Sequence, residues 1–446
     1  GGSDRHIQKK RLLRGHRAGV MRVAFVEILG GNDLRHAVTV HVTRNHPQAA
    51  ACGVKFDHAP RFNRRSLGVW PSRVVDVEIR KPLFFPGGGG TFDGRDWETY
   101  VTILSGDLDQ NDTVDDDGVV TDTANISGTN AYHVVTTFEV TDTTTLDGFV
   151  VTAGYADLND GDHFPNSQTG GGMINYSELA QDHVHSMPQV SHVVFSGNYA
   201  GQSGGGMLNS TLEGATLTDV TFVANRSDDE GGGLAFYWSG AVSYRDSLLE
   251  GLTFERNVAA GNGGGMLLGG SPAISNTTFV QNSATAGGGI FAWSMAGTMN
   301  PALTNTTFLS NTASTFGGGL SSQPGYGNIT LTDVTFAGNQ ANGSGGGGMN
   351  HSGGPATLTR VTFENNASNY RGGGFRLEND GSATMNEVSF IGNTARIGGG
   401  IYVEDSTLIL THLYPECEDV DLIGQCRNAF DGKIVVAADL MRLVMG

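Results

Sequence analysis

Cysteine is scarce in this sequence, with 3 among 446 residues. Cys52 stands alone and only Cys417 and Cys426 could pair locally. A disulfide framework is therefore excluded, while a reduced chain and one with a single small disulfide both fit. Proline is also rare, at 12, and no glycine-every-third-residue register exists, which excludes a collagen-like rod. Charged residues make up only 16 % and apolar residues reach 38 %, a balance unlike that of disordered chains. No apolar run approaches the roughly 18 residues needed to cross a bilayer, so no transmembrane helix is expected. No secretory leader is visible either, because Arg22 and Glu27 interrupt the apolar stretch Val20–Leu29. Between residues 100 and 410 no amphipathic helical window of useful length occurs, which leaves β structure.

What the chain has instead is glycine, 67 residues of 446, about twice the ordinary share. It also has a divided charge. Residues 1–90 hold 16 of the 27 Lys+Arg and 6 of the 45 Asp+Glu, a balance of +10. Residues 91–446 hold the other 11 and 39, a balance of −28. The basic segment shows no interleaved stacking aromatics and no convincing helix, so we expect no binding function from residues 1–90. Its style changes abruptly around Pro86–Gly90, as a shifted reading frame would leave it. The acidic remainder argues against a nucleic-acid partner.

A Phe-x-x-Asn signal recurs eight times, at Phe195, Phe222, Phe254, Phe279, Phe308, Phe336, Phe363 and Phe390. Each is followed by a glycine triplet and a bulky apolar residue, from Met207 and Leu234 to Phe375 and Ile401. Two signals in constant phase define a repeat of about 28 residues. The segment before each Phe alternates, as in Leu217-Thr-Asp-Val220-Thr-Phe222, and β-branched residues dominate it. The residues after each triplet alternate too, so both read as strands with one buried face, positions two and four facing out. A unit this short cannot bury its apolar face alone, but stacked copies can. Propeller blades need roughly 40–45 residues, so the expected architecture is a single-stranded parallel β-helix of about ten to twelve coils, about 4.8 Å apart. The Phe residues should stack inside and the Asn residues should form an amide ladder that satisfies turn backbone groups. Expected boundaries are a basic segment 1–90, N-terminal coils or cap 91–168, repeat coils 169–410 and a C-terminal cap or tail 411–446.

The pair Phe222-Val-Ala-Asn225 and Gly231-Gly-Gly-Leu234 resembles the polymorphic outer membrane protein repeat of chlamydial type, which also occurs in large secreted bacterial proteins. The stretch Asp96-Trp97-Glu98-Thr99, with Tyr132-His-Val-Val and Leu146-Asp-Gly-Phe149, is similar to the N-terminal cap region of such proteins. The resemblance covers roughly residues 92–410. It implies a right-handed helix, a bacterial origin, an extracellular or outer-cell-surface location and an adhesin-like role. It does not extend to a C-terminal membrane barrel, because few residues follow Ile401.

Candidate chemistry is sparse. Asp107, Asp109 and Asn111 place oxygens at alternate positions and Asp112 follows, so Ca²⁺ is the cation to consider, although an EF-type loop would need glycine at Asp112 and glutamate at Gly118. Glu378 and Glu404 fall at position four after consecutive triplets, with Arg376 nearby, a carboxylate pair of the kind glycosidases use. Tyr237, Trp238, Phe291 and Trp293 could stack on sugars. His133, His192 and His351 are isolated and read as structural. Asn-x-Ser/Thr sequons such as Asn276 and Asn305 follow from repeat composition. The leading expectation is a non-catalytic structural or adhesive module that binds carbohydrate or a cell-surface partner, with no obligatory cofactor. The alternative is a polysaccharide lyase or glycoside hydrolase on the same scaffold.

Overall fold

A computed structural model describes residues 101–411 apart from 139, 159–167, 178–185, 212–214, 238–246, 294–299 and 324–327. It also describes Trp97 and the strands Val20–Ala24, Glu27–Leu29, Asp76–Arg80 and Lys433–Val436. Trp238, Cys52, Cys417 and Cys426 lie outside the described residues. The architecture is a parallel β-solenoid, and among the described residues the only helical element is the 3-10 turn Thr123–Asn125.

One coil shows how the sequence does this. A leading strand, Thr216–Thr218, passes through Asp219 into the Phe strand, Thr221–Val223. Ala224 turns the chain into a two-residue strand, Arg226–Ser227, and the triplet leads into the glycine strand, Leu234–Tyr237. Three residues in each coil carry the left-handed backbone that makes its corners, here Asp219 (φ 52°), Ala224 (φ 52°) and Gly231 (φ 61°). Successive coils pair in parallel and in register, Thr221 with Thr253 and Phe222 with Phe254, apart from a one-residue shift between Ala284 and Ala286 in the short strands. Leading and Phe strands form a 19-stranded sheet, the short strands an 8-stranded sheet and the glycine strands an 11-stranded sheet.

The interior is a set of ladders. Phe195, Phe222, Phe254, Phe279, Phe308, Phe336, Phe363 and Phe390 stack with centroids 4.6–5.1 Å apart and planes within 3–9° across seven turns. The first seven of them are fully buried. Beside them runs the expected asparagine ladder. The Asn257 backbone N–H and Nδ2 both donate to Asn282 Oδ1 (2.9 and 3.0 Å), and Nδ2 also donates to Phe222 O (2.8 Å). The pattern repeats from Asn198 to Asn393, so each buried amide has its donors and its acceptor filled by neighbouring coils.

The triplet glycines have two separate jobs. The first folds the turn back over the sheet: a Cβ on Gly231 would lie 2.9 Å from the Cβ of Ala235. The second and third let coils meet, since a Cβ on Gly233 would lie 2.7 Å from Gly265 O. That first function corrects one expectation. Position two after the triplet points away from the Phe core yet is buried at Ile174, Leu208, Ala235, Leu267 and Phe291, which form a second apolar cluster. The returning turn covers it. The same position becomes polar towards the C-terminal coils, at Ser321, Asn350 and Arg376.

Candidate functional site

The acidic segment folds on itself. Asp107 is buried, and its Oδ1 accepts from the backbone N–H of Gln110 (2.7 Å) and Asn111 (3.3 Å), while Oδ2 accepts from Asp112 N–H (3.3 Å). Asp109 Oδ2 accepts from Thr129 N–H (3.0 Å), and Ser127 Oγ donates to Asn111 Oδ1 (3.0 Å). Asp112 accepts from Ser127 N–H and Asn130 Nδ2, both at 2.7 Å. Partial burial holds the Asp112 carboxyl above its ordinary range, against those hydrogen bonds. The oxygens of Asp107, Asp109, Asn111 and Asp112 are engaged within this segment, by backbone N–H groups and by the side chains of Ser127 and Asn130. Among the described residues, no group of three or more His, Cys, Asp or Glu is placed to hold a metal ion. The same segment packs on the outside of the Phe strands, where Val120 N–H donates to Thr152 Oγ1 (3.0 Å) and Ser196 Oγ donates to Val120 O (2.8 Å). A shallow cleft of about 240 Å³ opens beside it, between Asp117 and Val119 on one side and Val194, Val223 and Arg256 on the other.

Among the described residues, Tyr237, Phe291 and Trp293 do not form an exposed platform; Trp238 lies outside them. Phe291 is 4 % exposed and belongs to the second apolar cluster, against which Tyr237 and Trp293 pack. The Tyr237 hydroxyl donates to Glu230 Oε2 (2.7 Å) and lies 2.8 Å from Ser203 Oγ. Burial, and then the Glu230 carboxylate, push that phenol above its ordinary range. Composition suggested stacking surfaces; the fold buries Phe291 and leaves Tyr237 and Trp293 partly buried against it.

The histidines are structural, each for its own reason. His133 Nδ1 meets Gly170 O (3.0 Å), and His192 meets Asp147 Oδ1 (2.7 Å) under the Trp97 ring. His351 is fully buried in the core, with Nδ1 2.6 Å from Ser322 Oγ and Nε2 3.2 Å from Gly354 O. Burial pushes its pKa down to about 4.

The carboxylates Glu378 and Glu404 do come near a common group, Arg376. Arg376 Nη2 lies 2.5 Å from Glu378 Oε2 and 3.8 Å from Glu404 Oε2. Position-based reasoning missed Arg371, whose Nη1 donates to Glu404 Oε2 (2.7 Å). Both carboxylates therefore face guanidinium groups, and the cluster is charge-compensated. It is not a carboxylate pair across an open groove.

The fold so described defines a parallel β-helix with one repeat per coil. One stretch of it matches a known family: the model for the Chlamydia polymorphic membrane protein (Chlamydia_PMP) repeat matches residues 387–404. That span runs from the Glu387 corner through Phe390, Asn393 and the last triplet to Glu404, and the preceding coils carry the same signals. No curated protein and no solved structure matches the chain. No helix among the described residues is long and apolar enough to cross a membrane.

Proposed function

We propose that this chain is a bacterial cell-surface or secreted module that acts as a rigid, non-catalytic spacer and adhesive rod. The observation that carries the reading is the repeat itself, matched to a membrane-protein repeat and built into a ladder whose interior polar groups are satisfied between coils. Such a stack keeps a regular wall over many coils, which suits multivalent contact with a glycan or a neighbouring cell. The two carboxylates proposed for hydrolysis are held by arginines, which favours binding over turnover.

Intact cells carrying the chain with an epitope tag would be treated with an external protease. Loss of the tag signal before lysis is expected; a signal protected until lysis overturns the surface reading. Purified protein coated on beads should then retain cells or glycans in a flow assay.

A further inference from the structure

On the outer side of the last glycine strands, two arginines converge on one partly exposed carboxylate. Arg371 is sandwiched by Tyr370 and Tyr402, its guanidinium carbon 4.9 and 4.8 Å from the two ring centroids. Arg376 is 6 % exposed and lies over the Phe316 ring at 5.4 Å, its stem filling the space above Gly345. The two cations are matched by two carboxylates, Glu378 and Glu404, but their donors are not all filled. Arg371 Nε, Arg376 Nε and Arg376 Nη1 are buried with no hydrogen-bond partner. A buried guanidinium normally fills its donors, so three empty ones mark a place where an acceptor is missing. Only Glu404, on the next coil and about a third exposed, supplies an oxygen shared by both arginines.

We propose that the Arg371–Arg376–Glu404 cluster is a binding site for a carboxylate-bearing sugar, with Glu404 holding the place of the ligand's carboxylate. A uronate has the planar, two-oxygen acceptor that an arginine fork recognises. The exposed ring of Tyr370, beside the fork, supplies an apolar face for the sugar body. Glu404 swings out as the ligand's carboxylate enters, so the charge count of the cluster is kept. Glu378 stays on Arg376 and fixes its orientation. The site deepens the adhesive reading by naming a ligand class, and it is tested in solution, independently of where the chain resides.

The test is a calorimetric titration of the full chain at low salt with the galacturonic acid trimer and with its methyl ester, in which each carboxylate is replaced by an uncharged methyl ester on the same sugar backbone. The acid trimer should bind and the ester should not. Glu404→Gln removes the internal competitor while keeping shape, and should tighten acid-trimer binding about tenfold. Arg371→Gln should abolish binding, and Arg371→Lys, which keeps the charge without the fork, should lose about tenfold or more. The proposal is overturned if neither the natural chain nor Glu404→Gln binds the acid trimer, if the ester binds equally, or if Glu404→Gln is no tighter. None of those results would move the protease experiment, so failure of the site and failure of the surface reading are separable.

Discussion

Asn282 shows how much a single residue can carry in a ladder. Its Oδ1 accepts two bonds from Asn257, its Nδ2 donates to Phe254 O and to Asn311 Oδ1, and its backbone N–H donates to that same oxygen. All of this is fully buried. Asn282→Ala leaves two donors of Asn257 and the carbonyl of Phe254 short of partners in a dry interior, at about 1–3 kcal/mol per group. Asn282→Asp is the sharper substitution. It keeps the shape but sets a carboxylate oxygen where Nδ2 faced two acceptors, so it opposes oxygen to oxygen and buries a charge. Urea unfolding should therefore rank the natural chain above Asn282→Ala and Asn282→Ala above Asn282→Asp at neutral pH. Equal stability of the two variants would mean that the ladder's value is packing and not hydrogen bonding.

At the scale of one element, the triplet separates a steric demand from a conformational one. Gly233 has an ordinary backbone but no room, since an added Cβ would meet Gly265 O at 2.7 Å and the Phe254 ring at 3.0 Å. Gly338 has a left-handed backbone (φ 62°) but open space, with only Ser310 Oγ at 3.5 Å. Gly338→Ala should cost about 1–2 kcal/mol for the left-handed alanine, a conformation that Ala224 already adopts at the equivalent corner. Gly233→Ala must push two coils apart against backbone and should cost at least twice as much, read as the difference in melting temperature between the two variants. Sequence reasoning identified the triplet because Phe, Asn and Gly recur in constant phase. The buried outer side of the glycine strand was not legible in the same way. Alternation correctly put Ile174, Leu208 and Phe291 on the outer side, but what covers them is the preceding turn, a contact that no period encodes. Arg371 was hidden for a related reason. It occupies the residue before the triplet, where other coils carry Ser203, Glu230, Asn262, Ala286, Phe316, Gly345 and Ile397, so no pattern marks it.

For the whole molecule the question is what sets the stable range of solution conditions. Residues 91–446 carry 39 acidic against 11 basic residues, and most of that excess belongs to the described coils, which stack in close register. Opposing this among the described residues are few ion pairs, solvent-exposed in Arg360 with Asp333 and Arg226 with Asp228, part-buried in Arg371 with Glu404 and buried in Arg376 with Glu378. If those pairs dominated, salt would destabilise the rod; with an acidic excess of this size, self-repulsion dominates and salt should stabilise it. The melting temperature should rise from about 0.02 to about 0.5 M NaCl, by about 2–4 °C per kcal/mol of relieved repulsion. Acid gives an independent reading, because relief of repulsion and the core histidine then act in opposite directions. His351 stays neutral in the fold down to about pH 4, whereas its ordinary value is 6.5. Its contribution is therefore complete above pH 6.5 and is lost as pH falls towards 4, at about 1.4 kcal/mol per pH unit and about 3 kcal/mol in all. Carboxylates largely remain charged until about pH 5. Between pH 6.5 and 5, then, the buried histidines act almost alone, since burial also pushes the His133 pKa down to about 4, and stability should fall at any salt concentration. Replacing His351 with glutamine, which keeps an amide for Ser322 and Gly354, should make that limb of the pH profile about half as steep, with His133 supplying the rest, and leave the salt response unchanged. A profile that falls equally steeply in the variant would assign the acid sensitivity to other groups.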